Sequence, residues 1–493
     1  MSQQIALEEI DLEEIDLEEI DLEIIIKNEN YKNYGSFSQS TKTNNNKGDI
    51  PPDLSRGPFE PHQEKGNSGS TCGLCRHSPQ TSFYIISFGY LLFTLTDSAI
   101  HMVILLELYN RQFNALEISL MFTLYEFFGI ITNLVGGIFG SKWGFRFCLI
   151  LGLINQIIGI SLLCGLQSDW TKVVVIIYII IAQGFSGIAK DLIKMSGKSV
   201  TKLISEDDHH TQTKLFQTVA WLTGAKNSIK GFGFLLGALL LYFISYIWTL
   251  IILLAINVII LPFAIICIDT EIGKSKDNSQ LTMKSIFNKG RNINILSFAR
   301  VFLFGSRDIW FEVALPIFLR HTLEWTYMET GAFLAGWTIF YGAIQSATPQ
   351  LILNPLKMYP IKSGHSIIPW SIILNVITVA LAVTLMFVTV DVSKIGLTLA
   401  IIIGLFIFGF IFAINSSIHS FLILAYCNKD KVAMNVGFYY MSNAVGRLLG
   451  LLTGGLIFYY VNFDTCIWAS AGFLVICNII NCFLGEIPLD AHQ

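Results

Sequence analysis

SFYIISFGYLLFTLTDSAIHMVILLEL, residues 82–108, runs for 27 residues with Asp97, His101 and Glu107 as its acid and base groups. At ~1.5 Å per residue a helix of that length crosses a hydrocarbon core of ~30 Å with residues to spare. Similar apolar runs recur at 116–139, 147–167, 172–194, 215–244, 246–268, 293–319, 329–353, 367–388, 395–425, 432–460 and 465–485. These spans predict an all-α polytopic membrane protein with twelve transmembrane helices. Composition agrees: 53% of the 493 residues are hydrophobic and 14% charged, where a soluble chain carries about 25% charged residues. An ordinary soluble enzyme is excluded on that ground.

The longest internal hydrophilic stretch, 269–292, follows the sixth span. It divides the chain into an N-terminal six-helix bundle at 81–268, a cytosolic central loop at 269–292 and a C-terminal six-helix bundle at 293–485, with residues 486–493 as a short cytosolic C-terminus. Six plus six predicts two pseudosymmetric bundles with a substrate path between them.

Residues 1–80 are of another kind. Leu-Glu-Glu-Ile-Asp is repeated three times from Leu7 to Asp21, and residues 28–80 continue in Asn, Ser, Gly, Pro and Lys. The repeat fits neither a helical nor a strand period, so a disordered acidic cytosolic tail is expected. The tail is net −8 and the remainder net +4. With the N-terminus inside, the inward loops collect Lys142, Arg146, Lys198, Lys202, Lys214, Lys274, Lys276, Lys284, Lys289, Arg291, Lys357, Lys362, Lys429 and Lys431, against Arg111, Lys172, Arg320 and Lys394 outward. By the positive-inside rule both termini are cytosolic. The plasma membrane is the expected location, with the vacuolar or another endomembrane as the alternative.

A charge at the centre of a spanning helix costs about 2.5–3.5 kcal/mol on insertion scales, so each one calls for a partner or a wet cavity. Asp97 lies near mid-depth in the first span with His101 one turn on, and Glu126 near the middle of the second. Lys226 and Lys230 share one face of the fifth, and Arg300 and Arg307 one face of the seventh, with Asp308 and Glu312 close by. Asn443 and Arg447 sit near mid-depth in the eleventh. Internal ion pairs, such as Arg307 with Glu126 or Lys230 with Asp97, account for any one of these. As a set, two stacked basic pairs repel unless an anion lies between them, which points to a small anionic substrate held by Lys226, Lys230, Arg300, Arg307, Arg447, Asn443 and the deeper-lying Lys190. Asp97, His101, Glu126 and Asp308 are the groups able to exchange protons during transport.

Other signals are weaker. Cys72-Gly-Leu-Cys75 with His77 offers too few ligands for zinc and reads better as thiols open to acylation. Asp207-Asp208-His209-His210 is a solvated polar loop, Tyr34-Gly-Ser-Phe37 a short sorting-type pattern, and the sequon Asn415-Ser-Ser417 falls within a span. No phosphate-binding Gly-rich loop with a lysine occurs. No enzyme activity, cofactor, metal or nucleic-acid partner is expected; the partners are the lipid bilayer and the cargo, and the protein is expected to be monomeric.

Gly136-Gly-Ile-Phe-Gly-Ser-Lys-Trp-Gly-Phe-Arg146 resembles the loop signature between helices two and three of the major facilitator superfamily. Gly137, Lys142, Gly144 and Arg146 hold their places in that conformational loop, while Ser141 replaces the usual acid. A narrower resemblance runs through Thr94–Asp97, Leu124–Gly137, Ser186–Ser196, Leu222–Gly231 and Ala299–Trp310; these blocks look like the ArsJ-type organoarsenical efflux permeases. That resemblance implies export of 1-arseno-3-phosphoglycerate, arsenate resistance, and a functional link to glyceraldehyde-3-phosphate dehydrogenase, which makes that compound. A carrier for another organic anion, such as a sugar phosphate or carboxylate, and a non-transporting membrane sensor are the competing readings.

Overall fold

The computed structural model of the protein describes residues 79–167, 169–205, 212–268, 289–358, 361, 363–426 and 432–487. The acidic repeat, Tyr34, the Cys72/Cys75/His77 group, the Asp207–His210 run and most of the central loop lie outside the described residues, as do the side chains of Lys142, Lys198, Lys202 and Lys214. Among the described residues the chain is helical throughout and forms no strand. The helices are α1 Pro79–Asn110, α2 Ala115–Met121, α3 Thr123–Cys164, α4 Lys172–Ser205, α5 Gln212–Phe243, α6 Tyr246–Cys267, α7 Arg291–Phe311, α8 Ala314–His321, α9 Tyr327–Ala347, α10 Ile368–Phe387, α11 Lys394–Ala425, α12 Val432–Tyr460 and α13 Phe463–Asn481.

These helices account for the twelve spans. Nine of the described segments are long and apolar enough to cross a membrane. The other three spans, on α5, α7 and α9, fall short of that combination; α5 and α7 are the helices that carry Lys226, Lys230, Arg300, Arg307 and Asp308.

Helix breaks follow from local chemistry. Pro316 has no N–H to donate to the carbonyl of Glu312, so the seventh span splits into α7 and α8 with Glu312 capping the first piece. Pro349 likewise widens the end of the eighth span into a π turn at Thr348–Leu353. Between the second and third spans the reversal is carried inside α3 by Gly144, whose φ of 84° and ψ of 164° are barred to most side chains. Asn114 and Thr326 begin α2 and α9 with reciprocal capping boxes, to Glu117 and Glu329.

The packing pattern repeats with an offset of six spans. The first span packs on the fourth, fifth and sixth, and the seventh on the tenth, eleventh and twelfth. The third packs on the sixth, and the ninth on the twelfth. Contacts between the halves obey the same symmetry: fifth span on eighth (α5 on α9), second span on eleventh (α2 and α3 on α12). Lipid is as apolar as leucine, so close approach and dispersion hold such helices together, and small residues permit the approach. A Cβ on Gly224 would lie 2.0 Å from Ser346 Oγ, and one on Gly342 2.5 Å from the Gly224 carbonyl. In the second half Trp310, Trp337, Phe408 and Phe412 form a buried aromatic cluster, and the Trp337 indole donates to the Leu405 carbonyl at 2.7 Å.

Candidate functional site

Polar side chains gather at two levels within the bundle. The first is a network drawn from six spans. Arg447 of α12 reaches Glu126 of α3 at 2.7 Å, Glu312 at 3.4 Å and Asp308 at 3.3 Å. Glu126 also receives Lys190 of α4 at 3.2 Å, and Glu312 receives Lys230 of α5 at 3.4 Å and His101 of α1 at 3.3 Å. Arg307 bonds Asp308 through Nε at 2.6 Å. Asp97 accepts a hydrogen bond from Tyr125 at 2.7 Å; the His101 ring stacks on Phe122, with centroids 4.1 Å apart. The Lys190 ammonium lies 3.7 Å from the centroid of the Tyr125 ring.

The partners differ from those the spacing offered. Glu126 pairs with Arg447 and Lys190 where Arg307 was the example, and Lys230 meets Glu312 where Asp97 was. Arg300 and Arg307 do share a face, and both guanidinium groups pack over the ring of Phe304, at 3.8 and 5.0 Å from its centroid. The negative faces of that ring relieve part of the repulsion between the two cations. Lys226 is half-buried one turn from Lys230.

The second level lies nearer the end of the bundle where α7 begins. Arg300 is 3% exposed. It donates from Nε to Asn443 Oδ1 at 3.2 Å and from Nη1 to the Ser416 carbonyl at 3.4 Å, and among the described residues it forms no ion pair. The Ser416 hydroxyl accepts from Tyr341 at 3.1 Å and Gln345 at 3.3 Å, and Gln345 accepts from Asn227 across the two halves at 2.7 Å. One turn along α11, His419 is fully buried with neither ring nitrogen hydrogen-bonded. On the other half, Asp191 is held by Lys194 at 3.0 Å and Asn133 at 2.9 Å, and Lys194 lies 4.8 Å from the Tyr440 ring of α12.

The sequence reading does not single out Tyr125, Asp191, Tyr341, Gln345, Ser416 or His419. The run Asn415-Ser-Ser-Ile-His-Ser420 inside an apolar span was the available signal for the last two. The sequon within it is buried, with Asn415 donating to the Trp370 carbonyl at 3.0 Å. In the conformational loop Arg146 donates to the Ile265 carbonyl at 2.5 Å, at the end of α6; Gly137 lies within α3.

Contacts between the halves occur at both ends of the bundle. At one end Tyr327 donates to Asn110, and Arg320 packs over Tyr327 and Tyr109. At the other, Phe216 stacks on Phe421 with centroids 4.8 Å apart. The basic residues Arg111, Lys172 and Arg320 fall at the first end, and Asn292, Ser363 and Glu486 meet at the second.

Comparison with known proteins places this arrangement. The family pattern described as Major Facilitator Superfamily matches residues 86–368, more than half of the chain. No curated protein matches in sequence. Among solved structures, the human organic anion transporter MFSD10 (TETRAN) is similar over 82% of this chain and 100% of its own, with 12% identity and a TM-score of 0.56. A bacterial homologue of the iron transporter ferroportin, in an outward-facing state, is similar over 81% of this chain and 98% of its own, with 14% identity and a TM-score of 0.56. At such identities the likeness concerns the fold.

Proposed function

The chain belongs to the Major Facilitator Superfamily, and we propose that this integral membrane transporter is a secondary active carrier of an organic anion, working by alternating access. Arg300 carries the reading. A buried guanidinium without an opposite charge costs several kcal/mol, and an anionic cargo supplies that charge. The fold does not choose the sign of the cargo, since similar folds serve an organic anion transporter and an iron transporter homologue. The side chains favour an anion: Glu126, Asp308 and Glu312, the carboxylates a cation would need, are all engaged by Arg447.

The specific cargo proposed is 1-arseno-3-phosphoglycerate, exported so as to confer arsenate resistance. It rests on the resemblance of Thr94–Trp310 to organoarsenical permeases. A cargo anionic at both ends suits cations on both halves, Arg300 and Arg307 on the seventh span and Lys226 and Lys230 on the fifth. As it binds, one anionic end competes with Glu312 for Lys230. With Lys230 drawn away, Glu312 keeps His101 at 3.3 Å, and that contact is the proposed route by which a proton reaches or leaves it. Cargo binding and proton binding are thereby linked through Lys230, and the carrier is proposed to be an antiporter. Asp97, Glu126 and Asp308 share that coupling role, and the proposed setting is the plasma membrane with both termini cytosolic.

The test is arsenic export from arsenate-sensitive cells expressing the chain with and without glyceraldehyde-3-phosphate dehydrogenase. Export should require the dehydrogenase and fall at least about tenfold in Arg300→Gln, the equivalent of about 1.4 kcal/mol. Export independent of the dehydrogenase rejects this cargo; Arg300→Gln transporting like wild type rejects the anion site.

A further inference from the structure

We infer that Arg300, His419 and Asn443 form a subsite in the C-terminal half that takes a tetrahedral oxyanion, the phosphate-type end of the cargo. The inference rests on the anion-carrier reading and assigns one end of the cargo to one set of side chains.

His419 is the starting point. It is fully buried on α11, and neither ring nitrogen has a hydrogen-bond partner. Imidazole always offers at least one N–H, and leaving a buried donor or acceptor unsatisfied costs about 1–3 kcal/mol. A histidine used only for packing is more stable as phenylalanine or leucine. The charge whose field acts on the ring is that of Arg300. Ser416, three residues earlier on α11, gives its carbonyl to Arg300, which places the guanidinium on the side of α11 that His419 also faces.

Arg300 has five donor hydrogens. Nε is used by Asn443 and Nη1 by Ser416, leaving Nη2 for another acceptor. Asn443 accepts with its oxygen, so its amide nitrogen is left to donate. The unfilled donors therefore come from α7, α11 and α12, together with a shortage of acceptors. A carboxylate is planar and is satisfied by the fork of a single arginine. Donors converging from three helices instead surround an acceptor from several sides, which matches the oxygens of a phosphate or arsenate ester. The adjoining rings of Phe304 and Tyr439, 3.8 and 4.9 Å from the guanidinium carbon, exclude water and fix the fork.

The experiment uses the full chain in lipid nanodiscs, with inorganic phosphate as the probe and acetate as its planar counterpart, followed by isothermal titration calorimetry. Wild type should bind phosphate saturably and acetate at least about tenfold more weakly. His419→Phe, which keeps the bulk and removes the donor, should weaken phosphate binding at least about tenfold, and His419→Gln should recover most of that loss. Asn443→Leu, on another helix, should lose affinity in the same way and guards against a folding defect peculiar to position 419. No phosphate binding by wild type, or phosphate affinity within about twofold of wild type in a monodisperse His419→Phe or Asn443→Leu, overturns the subsite. Neither result touches the carrier reading, which stands or falls on the export measured for Arg300→Gln.

Discussion

Replacing Arg447 by leucine removes a cation that touches three carboxylates, one of them on the opposite half of the molecule. Its Nη2 lies 2.7 Å from Glu126 Oε1. At that separation two unit charges attract by about 6 kcal/mol at an effective dielectric of about 20, before desolvation is subtracted. Removing one member of such a pair leaves a buried uncompensated charge and costs about 3–5 kcal/mol. Arg447→Leu and Glu126→Leu should each destabilise the protein on that scale. The double variant should lose less than the sum of the two, with a coupling of about 1.5–3 kcal/mol. Reversible denaturation of the full chain in mixed micelles supplies the four free energies. Glu126 keeps Lys190 at 3.2 Å when Arg447 is gone, which is why the coupling is set below the full pair energy. Additivity within about 0.5 kcal/mol would mean that the groups do not meet in the folded state, and the account of how the halves are joined would fail.

Gly224→Val should destabilise the contact of the fifth and eighth spans and abolish transport, because its Cβ would sit 2.3 Å from the Gly342 carbonyl; unchanged thermal stability would contradict the packing described. Trp337→Ala should cost about 3–5 kcal/mol through the cavity left beside Trp310, measurable by the same denaturation. At the rim, the hydrogen bond and charge of Lys394 hold the exposed Glu324 carboxyl below the usual carboxylate range. A lowered folded-state value means that this contact adds stability above the ordinary carboxylate range and loses it as pH falls through the lowered value. Carbon NMR of Lys394→Met should show Glu324 titrating higher than in wild type.

Spans were legible in the sequence because a membrane imposes a length and a composition on each segment, and the intramembrane charges stood out because they are costly there. Who pairs with whom was not legible. Glu126 and Arg447 are separated by hundreds of residues, and several acids and bases at similar depth permit many pairings; helix packing alone selects one. His419 escaped for a different reason. Serine and asparagine near it satisfy themselves on carbonyls of their own helix, as Ser420 does on Ser416 at 2.7 Å, so a polar run there looks like ordinary helix decoration. The splitting of the seventh span was readable from Pro316, but its effect, setting Glu312 at the end of a helix with His101, Lys230 and Arg447 around it, required the neighbouring helices.

Gly144 reverses the chain between the two helices of the second and third spans, the one residue between Thr123 and Cys164 with non-helical φ and ψ, and Arg146 ties that turn to α6. A turn so short has no slack. Any axial thrust on the second span, whose Glu126 is gripped from the far half by Arg447, is delivered to the third and through it to the sixth. On the alternating-access mechanism proposed above, the first half would be geared as one rocker arm, and a flexible insertion at Gly144 would act as a slipped clutch, sparing the ion pairs while disconnecting them from the stroke.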